Sequence, residues 1–121
     1  MTDHRVPLGR TGEAIAEDFL RRRGHRVLDR RFRTRRGEVD LVTRSGEHVY
    51  FVEVKTRRPG SAAFGGAWES VPAARQRRMA GTAQRWLARH DPTLVPHLAV
   101  LMITVHGDRA ELEFLPDAFG L

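Results

Sequence analysis

Two short runs of β-branched and aromatic residues, each carrying charge in its interior, constrain this chain more than anything else in it. GEVDLVT (Gly37 to Thr43) and HVYFVEVKT (His48 to Thr56) flank Ser45-Gly46-Glu47, which is the pattern of two strands joined by a hairpin. Val52 and Val54 fall on one face of the second run, and Phe51 continues the apolar character beside Glu53. That strand is expected to be central and covered on both faces. Charges there are costly unless they are paired or serve a site. Side chains alternate along a strand, so Glu53 and Lys55 emerge on one face. If the loop runs from Ser45 to His48, residue 44 pairs with 49 and Asp40 falls opposite Glu53. A loop of Ser45-Gly46 alone makes Asp40 a diagonal neighbour on that same face. Either register gathers two carboxylates and one ammonium, whereas a shift by one residue separates them.

The rest of the chain supplies covering layers. Gly12 to Arg23 carries Ile15, Ala16, Phe19 and Leu20 at helical spacing, and Gly24 stops it. Arg26 to Arg33 reads as a first strand. Arg58 to Glu69 is glycine-rich and aperiodic, hence a loop, mobile near the site. The segment Phe64-Gly65-Gly66 lacks the Gly-Lys-Ser/Thr of a phosphate loop. Ser70 is the expected cap of a second helix with Pro72 in its first turn. That helix runs to about His90 with Met79, Ala83, Trp86 and Leu87 inward; Trp68 stays open as a base-stacking residue. Leu98 to Val105 reads as a buried strand, and Glu111 to Leu115 as a last strand closed by Pro116. The order α-β-β-β-α-β-β predicts an α/β fold with a central mixed sheet flanked by helices, in one domain over residues 1–121.

Composition narrows the function. With no cysteine, thiol nucleophiles, disulfides and thiolate metal sites are excluded. The first ten residues lack the apolar stretch of a secretory signal, and no apolar run approaches the roughly 20 residues of a membrane span. The expectation is a cytoplasmic protein with no membrane association. Net charge is +6 and the pI about 11.3, and Arg21 to Arg36 holds nine arginines against the single acid Asp29. Such a face suits a phosphate backbone, although a solvated arginine-rich surface has the same composition. Six histidines are scattered without zinc-type spacing.

Asp40, Glu53 and Lys55 fit phosphodiester hydrolysis. Two carboxylates offer hard oxygens to Mg²⁺ or Mn²⁺, the metal polarises the phosphoryl group, and lysine stabilises charge building on phosphorus. Lys55 is the only lysine beside twenty arginines, so a compact amine stands where simple charge alone would have been met by arginine. The competing structural reading is an ion pair on a solvated strand face. Glu13 lies at the margin of the buried stripe of the first helix and reaches toward the cluster. A carboxylate favoured by the helix N-terminus has the same placement. Arg57 and Arg58 extend from the motif strand toward neighbouring phosphates. Arg75, Arg77 and Arg78 crowd the start of the second helix, where the dipole disfavours cations.

GRTGEAIAEDFLRRRGHRVLDRRFRTRRGEVDLV, then VYFVEVKTR, then SVPAARQRRMAGTAQRWL resemble the YraN-like family of small bacterial proteins, placed in the restriction-endonuclease-like, PD-(D/E)xK superfamily. The resemblance covers about residues 9–90. It implies a restriction-endonuclease-like core in which Asp40 and Glu53 are metal ligands, Lys55 the motif lysine and Glu13 the helix glutamate that completes the catalytic set. By the same analogy the Val54 carbonyl is a further metal ligand, and Arg75 and Gln76 contact nucleic acid. Three positions depart from the family pattern. Val39 replaces the proline, Arg75 stands for the usual lysine, and His97-Leu98-Ala99 replaces Arg-Phe-Asp. The expected activity is a Mg²⁺- or Mn²⁺-dependent nuclease acting on DNA in preference to RNA, on branched or single-stranded forms. The alternatives are a non-catalytic nucleic-acid-binding or recombination-accessory module and a structural protein whose basic face binds an acidic partner. The oligomeric state is left open.

Overall fold

The computed structural model describes residues 2–5, 11–57 and 71–120. Arg58, the expected loop with Phe64-Gly65-Gly66 and Trp68, and the expected cap Ser70 lie outside the described residues. Along the chain run β1 (Thr2–Arg5), α1 (Gly12–Arg22), β2 (Arg26–Arg33), β3 (Glu38–Ser45), β4 (His48–Arg57), α2 (Ala73–His90), β5 (Val95–His106) and β6 (Arg109–Phe119). The strands form one sheet in the order β1-β6-β5-β4-β3-β2. β4 and β5 pair in parallel and every other neighbour is antiparallel. The mixed α/β architecture and the order α-β-β-β-α-β-β are as the sequence predicts, with one short strand added at the N-terminus. That strand, TDHR, is polar and has no apolar period; backbone pairing with β6, from Thr2↔Leu112 to Arg5↔Arg109, is what places it.

Side-chain alternation on the central strands divides the interior into two layers. On one face Ile15, Phe19 and Leu20 of α1 pack on Leu41, Val52, Leu101 and Ile103. On the other, Ala83 and Trp86 of α2 pack on Val42, Phe51 and Leu98. Each of the valine, leucine, isoleucine and phenylalanine side chains among them contributes about 1.5–3 kcal/mol over its exposed state. β5 is buried without interruption from Leu98 to Thr104 because it is covered on both faces. Trp86 meets Phe51 edge to face at 5.7 Å between ring centroids, a core role as its helical spacing suggests.

Local chemistry sets the element ends. Thr11 Oγ1 accepts the Ala14 N–H at 3.1 Å and caps α1. At the other end Gly24, with φ +88, lets His25 N–H reach the Leu20 carbonyl and Gly24 N–H the Arg21 carbonyl, a Schellman closure. Two expectations change. Pro72 is the N-cap of α2, with extended backbone, and Ala73 begins the helix. β6 passes through Pro116 to Phe119 rather than ending there. Its register with β5 shifts between Leu98↔Phe119 and Val100↔Leu115, and proline, which has no N–H to give the ladder, is tolerated in such an irregularity. None of the described helices is long and apolar enough to cross a membrane.

Candidate active site

The hairpin closes with Ser45↔His48 and runs in register to Leu41↔Val52. Gly46 takes φ +62 at the first central position, where this two-residue turn requires a residue free of Cβ. This is the register that carries Asp40 toward Glu53. Pairing stops there. Had the alternation of the ladder continued, Val54 N–H would have donated to the Val39 carbonyl; it donates instead to Asp40 Oδ2 at 2.8 Å. The strands part, and the Asp40 carboxylate fills the notch between them.

β3 also changes face at this point. Leu41 packs in the α1 layer, whereas Val42 on one side and Val39 on the other both pack in the α2 layer. Strict alternation would have put Val39 with Leu41. The neighbouring strand shows the cause. Arg31 lies between the pairs Arg30↔Leu41 and Phe32↔Val39, across from Asp40, and has φ +51. A left-handed residue at that point lets Arg30 and Arg31 both turn toward α1, where they meet Glu17 and Glu13, while Phe32 returns to the α2 layer. Sequence reasoning missed Arg31. The adjacent apolar pair Val27-Leu28 is the only local sign that β2 does not alternate, and it marks the bulge between Val27 and Asp29.

Glu53 is 4% exposed and lies on the α2 side. Arg75 of α2 grips it with two donors, Nε to Oε2 and Nη2 to Oε1, the latter at 3.1 Å. The arginine's own pKa is raised by that hydrogen bond. The Asp40 carboxyl is pushed up to about 7, chiefly by burial, with the Val54 N–H pulling the other way and the Glu53 carboxylate adding to the rise. Two carboxylates this close in a half-dry notch favour a proton or a cation between them. Lys55 follows Glu53 on the same face, half-buried, and has no hydrogen-bond or ion-pair partner among the described residues. Glu13 stands apart: its Oε1 accepts Arg31 Nε at 2.9 Å, although its charge still reaches Asp40. Among the described residues no three His, Asp or Glu side chains are gathered tightly enough to hold a metal ion as they stand. Asp40 and Glu53 form a pair, and a strand residue directs N–H and C=O to the same neighbour, so the Val54 carbonyl also faces the notch.

Other candidates take quieter positions. Gln76 Nε2 donates to the Val71 carbonyl at 2.9 Å, and its N–H to Pro72 O starts the helix. Arg57 Nε donates to Thr104 Oγ1 at 3.0 Å. Ala99, at one of the departures from the family pattern, is buried in the α1 layer. Two of the scattered histidines do meet. His48 Nδ1 and His97 Nε2 lie 2.8 Å apart, and His97 Nδ1 contacts Asp117 Oδ1. The parallel β4–β5 register aligns Tyr50 with His97, and their rings stack.

The sequence profile described as "Uncharacterised protein family UPF0102" matches residues 12–104. Relatives called UPF0102 protein are similar over nearly their whole length. One from Syntrophotalea carbinolica is 46% identical over 122 residues, spanning 100% of this chain and 98% of its own. Another, from Geobacter metallireducens, is 37% identical with the same coverage. A third, from Anaeromyxobacter dehalogenans, is 43% identical over 118 residues, with 97% of this chain and 87% of its own aligned.

Proposed function

We propose that this chain, which belongs to the UPF0102 family, is a divalent-metal-dependent nuclease of the restriction-endonuclease-like, PD-(D/E)xK type that hydrolyses phosphodiester bonds in DNA. The observation that carries the reading is the displaced ladder bond: Asp40 takes the Val54 N–H in place of a backbone carbonyl. A half-buried carboxylate is thereby fixed beside a buried one, with a lysine on the same strand that has no partner among the described residues.

The residues fit Mg²⁺ or Mn²⁺. Asp40, Glu53 and the Val54 carbonyl are hard oxygen donors, and the raised Asp40 pKa, caused first by burial and then by the neighbouring Glu53 carboxylate, means that a cation there would relieve the charge on the pair. When bound, the ion polarises the phosphoryl group and supplies a nucleophile at neutral pH. The protein's own residues do the rest. Val54 N–H fixes the Asp40 carboxylate. Burial keeps competing water from Glu53. The Lys55 ammonium is available to stabilise charge that develops on the phosphoryl oxygens. Glu13, anchored by Arg31, orients groups from the α1 side. Arg75, which already grips Glu53, steadies that carboxylate and reaches toward the entering phosphate.

A second reading rests on Arg75 as well. Its bidentate grip satisfies Glu53 with a built-in cation, as expected of a nucleic-acid-binding module that kept the fold without the chemistry. Calorimetric titration with Mn²⁺ separates the two. The nuclease reading expects one saturable site that Asp40→Asn removes; no binding at millimolar Mn²⁺ supports the binding module.

A further inference from the structure

The β2–β3 turn and α2 enclose a groove that lies outside the carboxylate notch. Its walls are Arg35 and Arg36 from the turn and Ala74, Arg77, Arg78 and Gly81 from the helix, around a space of about 460 Å³. The groove is built into the fold. Gly37 approaches α2 so closely that a Cβ there would lie 3.2 Å from Arg78 Cβ and 3.3 Å from Thr82 Oγ1. Thr34 and Thr82 hydroxyls hydrogen-bond at 3.2 Å, the Arg36 N–H donates to Thr34 Oγ1, and the Thr34 N–H donates to the Gly37 carbonyl at 2.8 Å. Turn and helix are therefore locked together, with four guanidinium groups around one space.

Those four charges have no acid paired with them among the described residues. Several neighbouring arginines have acids: Arg21 and Arg30 share Glu17, Arg22 has Asp18, Arg31 has Glu13, Arg33 has Glu38 and Arg75 has Glu53. Among the described residues, Arg35, Arg36, Arg77 and Arg78 have none. The first turn of α2 contains no acid, so the helix dipole adds positive potential where cations already repel one another. Such an arrangement opposes stability on its own and gains when an anion enters. A second hollow of about 380 Å³, whose walls include Arg35, Arg36 and Arg75 together with the paired Arg33 and Glu38, continues the groove to the residue that grips Glu53.

We infer that this groove seats sugar-phosphate groups of a DNA strand beside the one presented to Asp40 and Glu53. Its position relative to a scissile bond rests on the nuclease reading; its binding of DNA does not. Among the described residues the lining of the first space holds guanidinium groups, alanine and glycine, with no aromatic ring or amide to read a base edge, so recognition there is of backbone and independent of sequence.

The test is DNA binding without metal, in EDTA, by fluorescence anisotropy over a range of salt. The probes are two labelled duplexes of unrelated sequence. Arg77→Gln with Arg78→Gln removes two phosphate contacts, which lowers the slope of log affinity against log salt by about 1.8 and weakens both duplexes equally. Arg35→Gln with Arg36→Gln does the same from the opposite wall. The equal-charge control is Arg89→Gln with Arg109→Gln, outside the groove, with melting curves to verify folding. A control that loses as much slope as the groove pairs overturns the inference, as do groove variants that bind like wild type. Displacement of the DNA by polyglutamate at equal charge concentration overturns it too, since the groove would then read acidic protein. Cleavage that persists in groove variants with unchanged binding leaves the nuclease reading standing alone. Groove-dependent binding without cleavage on any substrate leaves the groove standing and the nuclease reading fallen.

Discussion

Arg75 of α2 and Glu53 of β4 meet through two parallel hydrogen bonds across 22 positions of sequence, so the deepest carboxylate of the notch is neutralised by the helix that covers it. Bidentate pairs of this kind are geometrically specific. Here the pair ties the second helix to the strand that carries the candidate chemistry. Arg75→Gln leaves a buried carboxylate without its cation, which destabilises the metal-free protein by about 1–3 kcal/mol. Mn²⁺ should then raise the melting temperature of the variant more than that of wild type. Arg75→Lys should fall between the two. An equal metal-induced shift in all three proteins would separate Arg75 from the metal site.

Asp40 gives a pH dependence whose sign is fixed. Its folded-state pKa of about 7 lies above the ordinary value of 3.8, so between those values the folded protein holds a proton that the unfolded chain has lost. The stability from this group is fully present below the ordinary value and disappears as pH rises through about 7. His25 is shifted downward, chiefly by burial, and works in the opposite direction. Comparison with Asp40→Asn isolates the aspartate. The melting temperature of wild type relative to that variant should fall by several degrees between pH 5 and pH 8 without metal. A constant difference would contradict the assignment.

Two substitutions at Asp40 separate its roles. Asn keeps an oxygen for the Val54 N–H, whereas Ala leaves that N–H without an acceptor, a loss of about 1–3 kcal/mol. At pH 8 Asp40→Asn should fold at least as stably as wild type and bind no Mn²⁺, and Asp40→Ala should be less stable than either. Denaturant titrations read the order directly. Equal stability of the two variants would mean that the displaced ladder bond does not hold the notch open.

Arg31 is the non-glycine residue with positive φ among the described residues, and left-handed backbone is unfavourable for a side chain with a Cβ. Arg31→Gly removes that strain together with the anchor of Glu13. The expected result is a melting temperature equal to or above that of wild type, with cleavage reduced severalfold. Lower stability with unchanged cleavage would show that Glu13 needs no anchor and that the backbone there is unstrained.

The hairpin was legible because its information is local: β-branched runs, a Gly-containing turn and a period of two carry Asp40 toward Glu53 and leave Lys55 two residues further along the same strand face. Both helices were legible from their apolar stripes. What the sequence concealed depends on distant partners or on one backbone angle. Arg75 reads as a phosphate contact until the fold brings it onto Glu53. Gln76 reads as its companion, although its side chain closes the start of α2. The switch at Arg31 depends on a conformation that no residue type announces. β1 is too polar and short to show a period, and only the exposed edge of β6 explains it. His48 and His97 come together through the parallel β4–β5 register, which spacing along the chain does not encode.

The central claim is that Asp40, Glu53 and Lys55 act together on a phosphodiester. Its most direct test is a cleavage panel of linear, flapped, four-way and single-stranded DNA with Mg²⁺ or Mn²⁺, run on wild type, Glu53→Ala and Lys55→Ala purified identically. The account predicts metal-dependent cutting of at least one substrate that falls by about a hundredfold or more in both variants while DNA binding in EDTA is retained. Equal cutting by all three proteins, or no cutting of any substrate by wild type with metal present, would contradict it.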